Sequence, residues 1–234
     1  MKPDSRSELL AAAQKLFIAK GYSSVGTREI AEAAGVNLSL IKYHFGSKED
    51  LFVETVKSLM EQAGGSLATR FGELQIDSKE RAAQYLGEII STIIYSHLLE
   101  SCPQPCRVMF REVLSDDGAN SRMIDELVSA VVADYILPTD SMMRKILRVL
   151  APAIDDREID NIIHSIFGQC SFYITHRPFV EKLRGRNFSE RTEFESVLSH
   201  VVRFTLRGID PHIGQEIETL AVSAALNHVH EVKV

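Results

Sequence analysis

The stretch that most limits what this chain can become is 27–45, TREIAEAAGVNLSLIKYHF. Ile30, Ala31 and Ala34 recur at helical spacing and give its first half an apolar stripe. Gly35 supplies the backbone freedom for a sharp turn at a helix end. Asn37 can cap the segment that follows, and Val36, Ile41 and Phe45 give that segment an inner face. A small residue at 31 lets two helices approach, the glycine turns the chain, and Ile41 re-enters the core. Those are the mechanics of a helix-turn-helix, whose second helix enters the major groove of DNA. An αα-corner that only packs is the other reading of this segment alone.

The surroundings permit the first reading. The chain has 234 residues, enough for a sizeable core in one large or two modest domains. Its net charge of −6 argues against a nucleic-acid partner until it is divided along the chain. The first 60 residues carry eight Lys/Arg and seven Asp/Glu, net +1, whereas the remainder carries 18 and 25, net −7. Phosphate contacts are local and screened beyond about 10 Å, so an acidic body can carry a near-neutral reading head. No apolar run is long enough to cross a bilayer, and charges at Lys2, Asp4, Arg6, Glu8 and Lys15 interrupt any secretory core, which points to the cytoplasm. The three cysteines make no disulfide framework. Cys102 and Cys106, in CPQPC near His97, lack a clear fourth metal ligand, so neither metal nor cofactor is expected.

Periodicity elsewhere is helical, with no convincing strand. A first helix covers 5–20, capped by Asp4 or Ser5 and ended by Gly21. Ser47 and Asp50 have near-capping-box spacing ahead of a helix whose stripe is Leu51, Phe52, Val56 and Leu59. Further helices are expected at 78–100, 105–115, 120–136, 139–150, 155–176, 189–207 and 211–230, with Pro138 and Pro178 kinking or stopping the chain. The expected fold is all-α: a three-to-four-helix unit at 1–63 and a larger helical domain at 64–234.

The run GYSSVGTREIAEAAGVNLSLIKYHFGSKEDLF resembles the DNA-binding domain of TetR-family transcriptional regulators, in Gly21-Tyr22, Ile30-Ala31, Ala34-Gly35-Val36, Tyr43-His44-Phe45 and Ser47-Lys48-Glu49 with Leu51. FREVLSDD and IFGQCSFY resemble the branch that includes the CecR regulator. Gly26 stands where relatives often have Ser or Thr, and Leu38 and Leu40 are apolar for groove-facing positions. The resemblance implies a homodimer that binds operator DNA through the first domain. It also implies a small-molecule effector and the dimer contact in the second.

On a helix from Leu38 to His44, residues 38, 39, 42 and 43 share a face opposite Ile41 and Phe45. Ser39, Lys42 and Tyr43 are therefore candidates for base and phosphate contacts, with Leu38 or Leu40 against thymine methyls. Thr27 and Arg28 open the preceding helix, where free N–H groups and the dipole favour a phosphate. Lys48 in a first helical turn opposes the dipole and is better explained by a phosphate partner. The resemblance assigns backbone contacts to Thr27, Tyr43, His44 and Lys48. The alternatives are a surface ion pair for Arg28, packing for the Tyr43 ring and an interior role for His44.

The resemblance further implies a ligand cavity. Phe110, Arg111, Glu112, His164 and Phe167 are candidate linings, together with the Gln169, Phe172, Tyr173 and His176 stripe. An ordinary core stripe, and an Arg111–Glu112 ion pair, are the competing readings. The dimer face is expected on 157–176 and 190–207, through Ile162, Ile166, Phe194, Val197, Val201 and Phe204. The rivals are an all-helical enzyme using Glu112, His164 or His176, and a sensor or adaptor without DNA affinity. No nucleophile elbow, HExxH, Walker loop or dinucleotide glycine pattern supports the enzyme. The expected function is a cytoplasmic, non-enzymatic regulator, a repressor that releases its operator when a small molecule binds.

Overall fold

The computed structural model describes residues 4–62, 65–98, 104–114, 121–188 and 190–231. Among them every regular element is helical. In chain order these are α1 (Ser5–Lys20), α2 (Thr27–Ala34), α3 (Ser39–Phe45), α4 (Lys48–Gln62) and α5 (Leu67–Phe71). Then come α6 (Lys79–Leu98), α7 (Gln104–Leu114), α8 (Ser121–Val131), α9 (Leu137–Leu150) and α10 (Asp156–Thr175). The last three are α11 (Arg177–Arg184), α12 (Arg191–Ile209) and α13 (Gln215–Glu231). The chain is all-α, as expected.

Two compact units divide it. One comprises Met1–Arg70 with Pro103–Leu137, the other Phe71–Cys102 with Pro138–Val234. A cut at residue 63 follows the order of the chain, whereas packing draws α7 and α8 to the N-terminal helices. Val108, Met123, Leu127 and Val131 bury in the same cluster as Phe17, Ile30, Ile41, Phe45 and Phe52. Phe52 is the hub of that core, edge-on to Phe17 at 5.0 Å and to Tyr22 at 5.1 Å between centroids.

Local chemistry accounts for most helix ends. The Asp4 carboxylate accepts from the Arg6 N–H at the start of α1. Asp155 does the same for Glu158 at 2.8 Å at the start of α10. Ser47 Oγ accepts from the Asp50 N–H at 3.0 Å and donates back to the Asp50 carboxylate at 2.6 Å. Gly35, at φ 67°, closes α2 in the left-handed region.

Pro138 does not stop the helix: a π turn, Val132–Ile136, precedes it, and the wider turn absorbs the lost N–H ahead of α9. α10 ends at Thr175, ahead of Pro178 as expected, and Pro178 sits in the first turn of α11, where its missing N–H costs nothing. Two helices among the described residues were not expected, α5 in the stretch between 65 and 78 and α11 in the stretch between 176 and 189. α12 runs past the expected end at 207, to Ile209. Cys102 and Ser189 lie outside the described residues, as do the side chains of His97 and Cys106.

In the second unit α6 packs chiefly on α13, with α10 and α12 alongside. Leu86, Ile89, Ile90 and Ile94 of α6 are fully buried. Closeness there is paid for at Gly87: a Cβ on it would lie 2.3 Å from the Ala221 carbonyl oxygen.

Candidate nucleic-acid interface

α3 is held from one side only. Ile41 and Phe45 bury in the first unit's core, and Val36 and Leu40 pack partly against it. Asn37 Oδ1 accepts from the Ser39 N–H at 2.9 Å and from the Ser39 hydroxyl at 2.8 Å, which fixes the entry to the helix. The opposite face is open. Leu38 is 41% exposed, Tyr43 is 80% exposed, and Ser39 and Lys42 are exposed between them. That is the face composed of residues 38, 39, 42 and 43.

The other candidate residues sort by their partners. Arg28 is exposed and, like Lys42, takes part in no ion pair among the described residues. Thr27, partly buried, is the first residue of α2, behind Gly26, so the N–H groups at that helix end have no side-chain cap. Among the described residues the Tyr43 ring, 80% exposed, has no ring partner on a neighbouring helix. It stands edge-on to His44 of its own helix at 4.9 Å. Leu40 differs from Leu38: it is half-buried against the core, because the helical step turns it away from the open face.

His44 and Lys48 have internal partners. His44 Nε2 lies 2.8 Å from Ser5 Oγ, which joins α3 to the first turn of α1. Lys48 Nζ donates to the Tyr22 carbonyl at 2.7 Å and sits 4.0 Å from the centroid of the Tyr22 ring. Burial holds the Lys48 ammonium below its ordinary pKa, with Glu49 and Glu112 opposing that shift. A partner inside the protein thus accounts for a lysine placed against the helix dipole. The Tyr22 hydroxyl donates to Glu49 at 2.8 Å, and burial, then that carboxylate, pushes its pKa up. Glu49 is correspondingly held low, first by its backbone N–H and next by Tyr22. Tyr22 is the organising residue that spacing alone did not single out; its signal in the sequence is the Gly21-Tyr22 pair of the family resemblance.

The nine expected ligand-lining residues are divided between the two units. Phe110, Arg111 and Glu112 lie on α7 in the first, and His164, Phe167, Gln169, Phe172, Tyr173 and His176 lie on or directly after α10 in the second. Arg111 and Glu112 are an ion pair at 3.0 Å, and each also bonds backbone around Gly21. On α10 the buried face is Ile159, Ile163, Ile166 and Cys170. His164, Phe172 and His176 are exposed, and the Phe172 and His176 rings stack on each other at 4.7 Å. Tyr173 is half-buried against Phe188 at 5.5 Å, Phe167 is also half-buried, and Gln169 donates to the Ser165 carbonyl. A cleft in the first unit is lined by Lys57, Glu61, Ser66, Thr69, Asp134 and Tyr135, none of them an expected lining residue.

Of the side chains expected on the dimer face, Ile166, Phe194, Val197 and Val201 belong to the core of their own unit, Ile162 is half-buried, and Phe204, 60% exposed, is turned outward. The exposed apolar side chains of this unit include Phe172, Phe179 and Leu183.

Comparison with known proteins places this geometry. Residues 9–55 match the bacterial regulatory proteins of the tetR family. Residues 82–209, more than half of the chain, match the C-terminal domain of the HTH-type transcriptional dual regulator CecR. YttP of Bacillus subtilis is 32% identical over 130 residues, 55% of this chain and 58% of YttP. The HTH-type transcriptional regulator AcrR of Shigella flexneri is 37% identical over 100 residues, 42% of this chain and 41% of AcrR. The alignments thus span about half of these curated relatives. RutR of Escherichia coli aligns over 88% of this chain and 91% of its own length at 26% identity.

Solved structures share the fold. The transcriptional regulator FadR from Bacillus subtilis, in complex with stearoyl-CoA, superposes with a TM-score of 0.56 at 19% identity, covering 86% of this chain and 98% of that one. The fatty acid degradation regulator FadR from Bacillus halodurans gives 0.54 at 14% identity, over 90% and 98%. Helix-turn-helix, flanking helices and a helical remainder matched over more than half its length have one common explanation: the chain belongs to the TetR family of transcriptional regulators, in the branch with a CecR-type C-terminal domain.

Proposed function

We propose that this chain is a cytoplasmic transcriptional regulator that reads operator DNA as a homodimer and represses until a small molecule releases it. One observation carries the reading: α3 is anchored by Ile41 and Phe45 while Leu38, Ser39, Lys42 and Tyr43 face solvent. Lys42 has the reach for guanine O6/N7 or a phosphate, and Leu38 suits a thymine methyl. Thr27 and Arg28 suit a phosphate at the uncapped start of α2. His44 and Lys48 support this face from within, through Ser5 and Tyr22, and reach DNA at its edge. The reading part is residues 1–63, and effector binding and pairing belong to 64–234.

A helix of seven residues reads few bases, so two copies are needed, on half-sites about 34–36 Å apart or a multiple of that. Exposed Phe172 and Phe204 support a pairing face on α10 and α12. Phe167 and Tyr173, half-buried on α10, are the best placed of the expected lining residues for an effector. Release then works by population shift, limited to the effector's differential affinity for the two dimer states. No catalytic role is needed. The relatives above are named as transcriptional regulators. No helix among the described residues is long and apolar enough to cross a membrane.

The test is fluorescence anisotropy on DNA from upstream of the chain's own gene, against scrambled DNA, at several salt concentrations. Lys42→Ala and Tyr43→Ala should each weaken specific binding by about 1–3 kcal/mol while helicity and mass in solution stay unchanged. Equal affinity for both DNAs, or both variants binding like the parent, would remove α3 from the reading role.

A further inference from the structure

Arg111 and Glu112 grip the end of α1 from α7, within one compact unit. The Arg111 guanidinium donates to the Ile18 carbonyl at 3.3 Å and to the Phe17 carbonyl, which also accepts from the Gly21 N–H. Both carbonyls lie in the last turn of α1, where orphan acceptors and the negative end of the dipole favour a cation. On the far side of Gly21, Glu112 Oε1 accepts from the Tyr22 N–H at 3.1 Å and from Arg111 Nε at 3.0 Å. Glu112 is only 7% exposed and has the Arg111 guanidinium as a charge partner. Gly21 fits under this clasp because it has no side chain: a Cβ would lie 3.1 Å from Glu112 Oε1 and 3.2 Å from Arg111 Nε, on a backbone at φ 84°.

Tyr22 carries the grip onward. Its N–H is held by Glu112, its carbonyl by Lys48 and its hydroxyl by Glu49. Those last two residues form the first turn of α4, which follows α3 after two residues. One tyrosine therefore joins α7, the α1–α2 connector and the end of the helix-turn-helix. None of these bonds lies on the open face of α3.

We propose that Arg111 and Glu112 are positioning residues for DNA reading: through Tyr22 they set the presentation of α2 and α3 without touching DNA. The proposal rests on the DNA-reading function above, and it makes α7 an element whose displacement alters operator affinity.

Hydrogen exchange and anisotropy on the full chain test it together, using Arg111→Ala, Glu112→Ala, Glu112→Gln and, as an exposed control on the same helix, Leu114→Ala. Both clasp alanine variants should speed exchange of the amides at 18–25 by about tenfold or more, the scale of one lost charge-assisted bond, and leave 79–98 unchanged. Glu112→Gln keeps an acceptor for the Tyr22 N–H and should recover most of that protection and of the operator preference. Leu114→Ala should match the parent in both. A parent that prefers its upstream DNA, with clasp variants that bind equally well or show unchanged exchange at 18–25, overturns the proposal. A parent without any DNA preference overturns the function on which it rests. Should an alanine variant fail to fold, Arg111→Lys decides: partial loss of protection at 18–25 and of operator preference is expected, and parent-like values in both overturn the proposal.

Discussion

Cys170 sits on the inner face of α10, 1% exposed, where burial pushes its thiol up to about 12. Thiolate is the reactive form, so the native chain should alkylate there far more slowly than the denatured chain. Peptide mapping after iodoacetamide at pH 8 checks this, and rapid native labelling of Cys170 would mean that α10 does not pack as described. His44 shows how a single contact reassigns a residue. Its position beside Tyr43 suits DNA, yet its Nε2 is occupied by Ser5. His44→Ala should therefore loosen the start of α1 as well as any DNA complex, visible as faster exchange at 5–9 in the absence of DNA.

Element by element, the most exacting contact is α6 on α13. Gly87→Ala places a methyl against the Ala221 carbonyl, and backbone cannot yield as a side-chain tip can. A loss of about 3 kcal/mol is expected in urea unfolding, because overpacking outweighs the better helix propensity of alanine. α12 and α13 are joined by Arg207 and Glu218, bonded at 2.6 and 2.9 Å. Arg207 holds the Glu218 carboxyl, 5% exposed, below its usual range. A depressed carboxyl stabilises the fold above the unfolded-state value, about 4.3, and that stability is lost as pH falls through the lower folded value. Glu218→Gln should accordingly be less stable than the parent at neutral pH, with the difference shrinking as pH drops below about 4. Chemical unfolding at pH 7 and at acid pH measures both.

At the scale of the whole molecule, the proposed pairing draws on the exposed Phe204 of α12. Phe204→Glu should shift sedimentation toward the monomer at micromolar concentration and weaken operator binding with it, whereas the same change at Phe179 leaves α12 untouched. Much of this protein could be read without coordinates. Helix after helix followed from 3.6-residue periodicity, Asp4 announced its cap, and the open face of α3 followed from the spacing of Ile41 and Phe45. These are local properties, determined by residues within a turn or two of one another. What periodicity could not supply was the partner across the core. An apolar stripe does not say whether it faces its own unit or a second copy, which is why Phe194, Val197 and Val201 read as a dimer face although they are interior. A charged residue likewise does not name its counterpart. Lys48 suggested a phosphate and holds Tyr22, while Arg111 and Glu112 suggested a ligand and hold the chain around Gly21, some ninety residues away. The sequence by itself determined the helices, the turn and the open face of α3. The tertiary structure decided which polar groups remain free for a partner, because that depends on contacts between residues far apart in the chain.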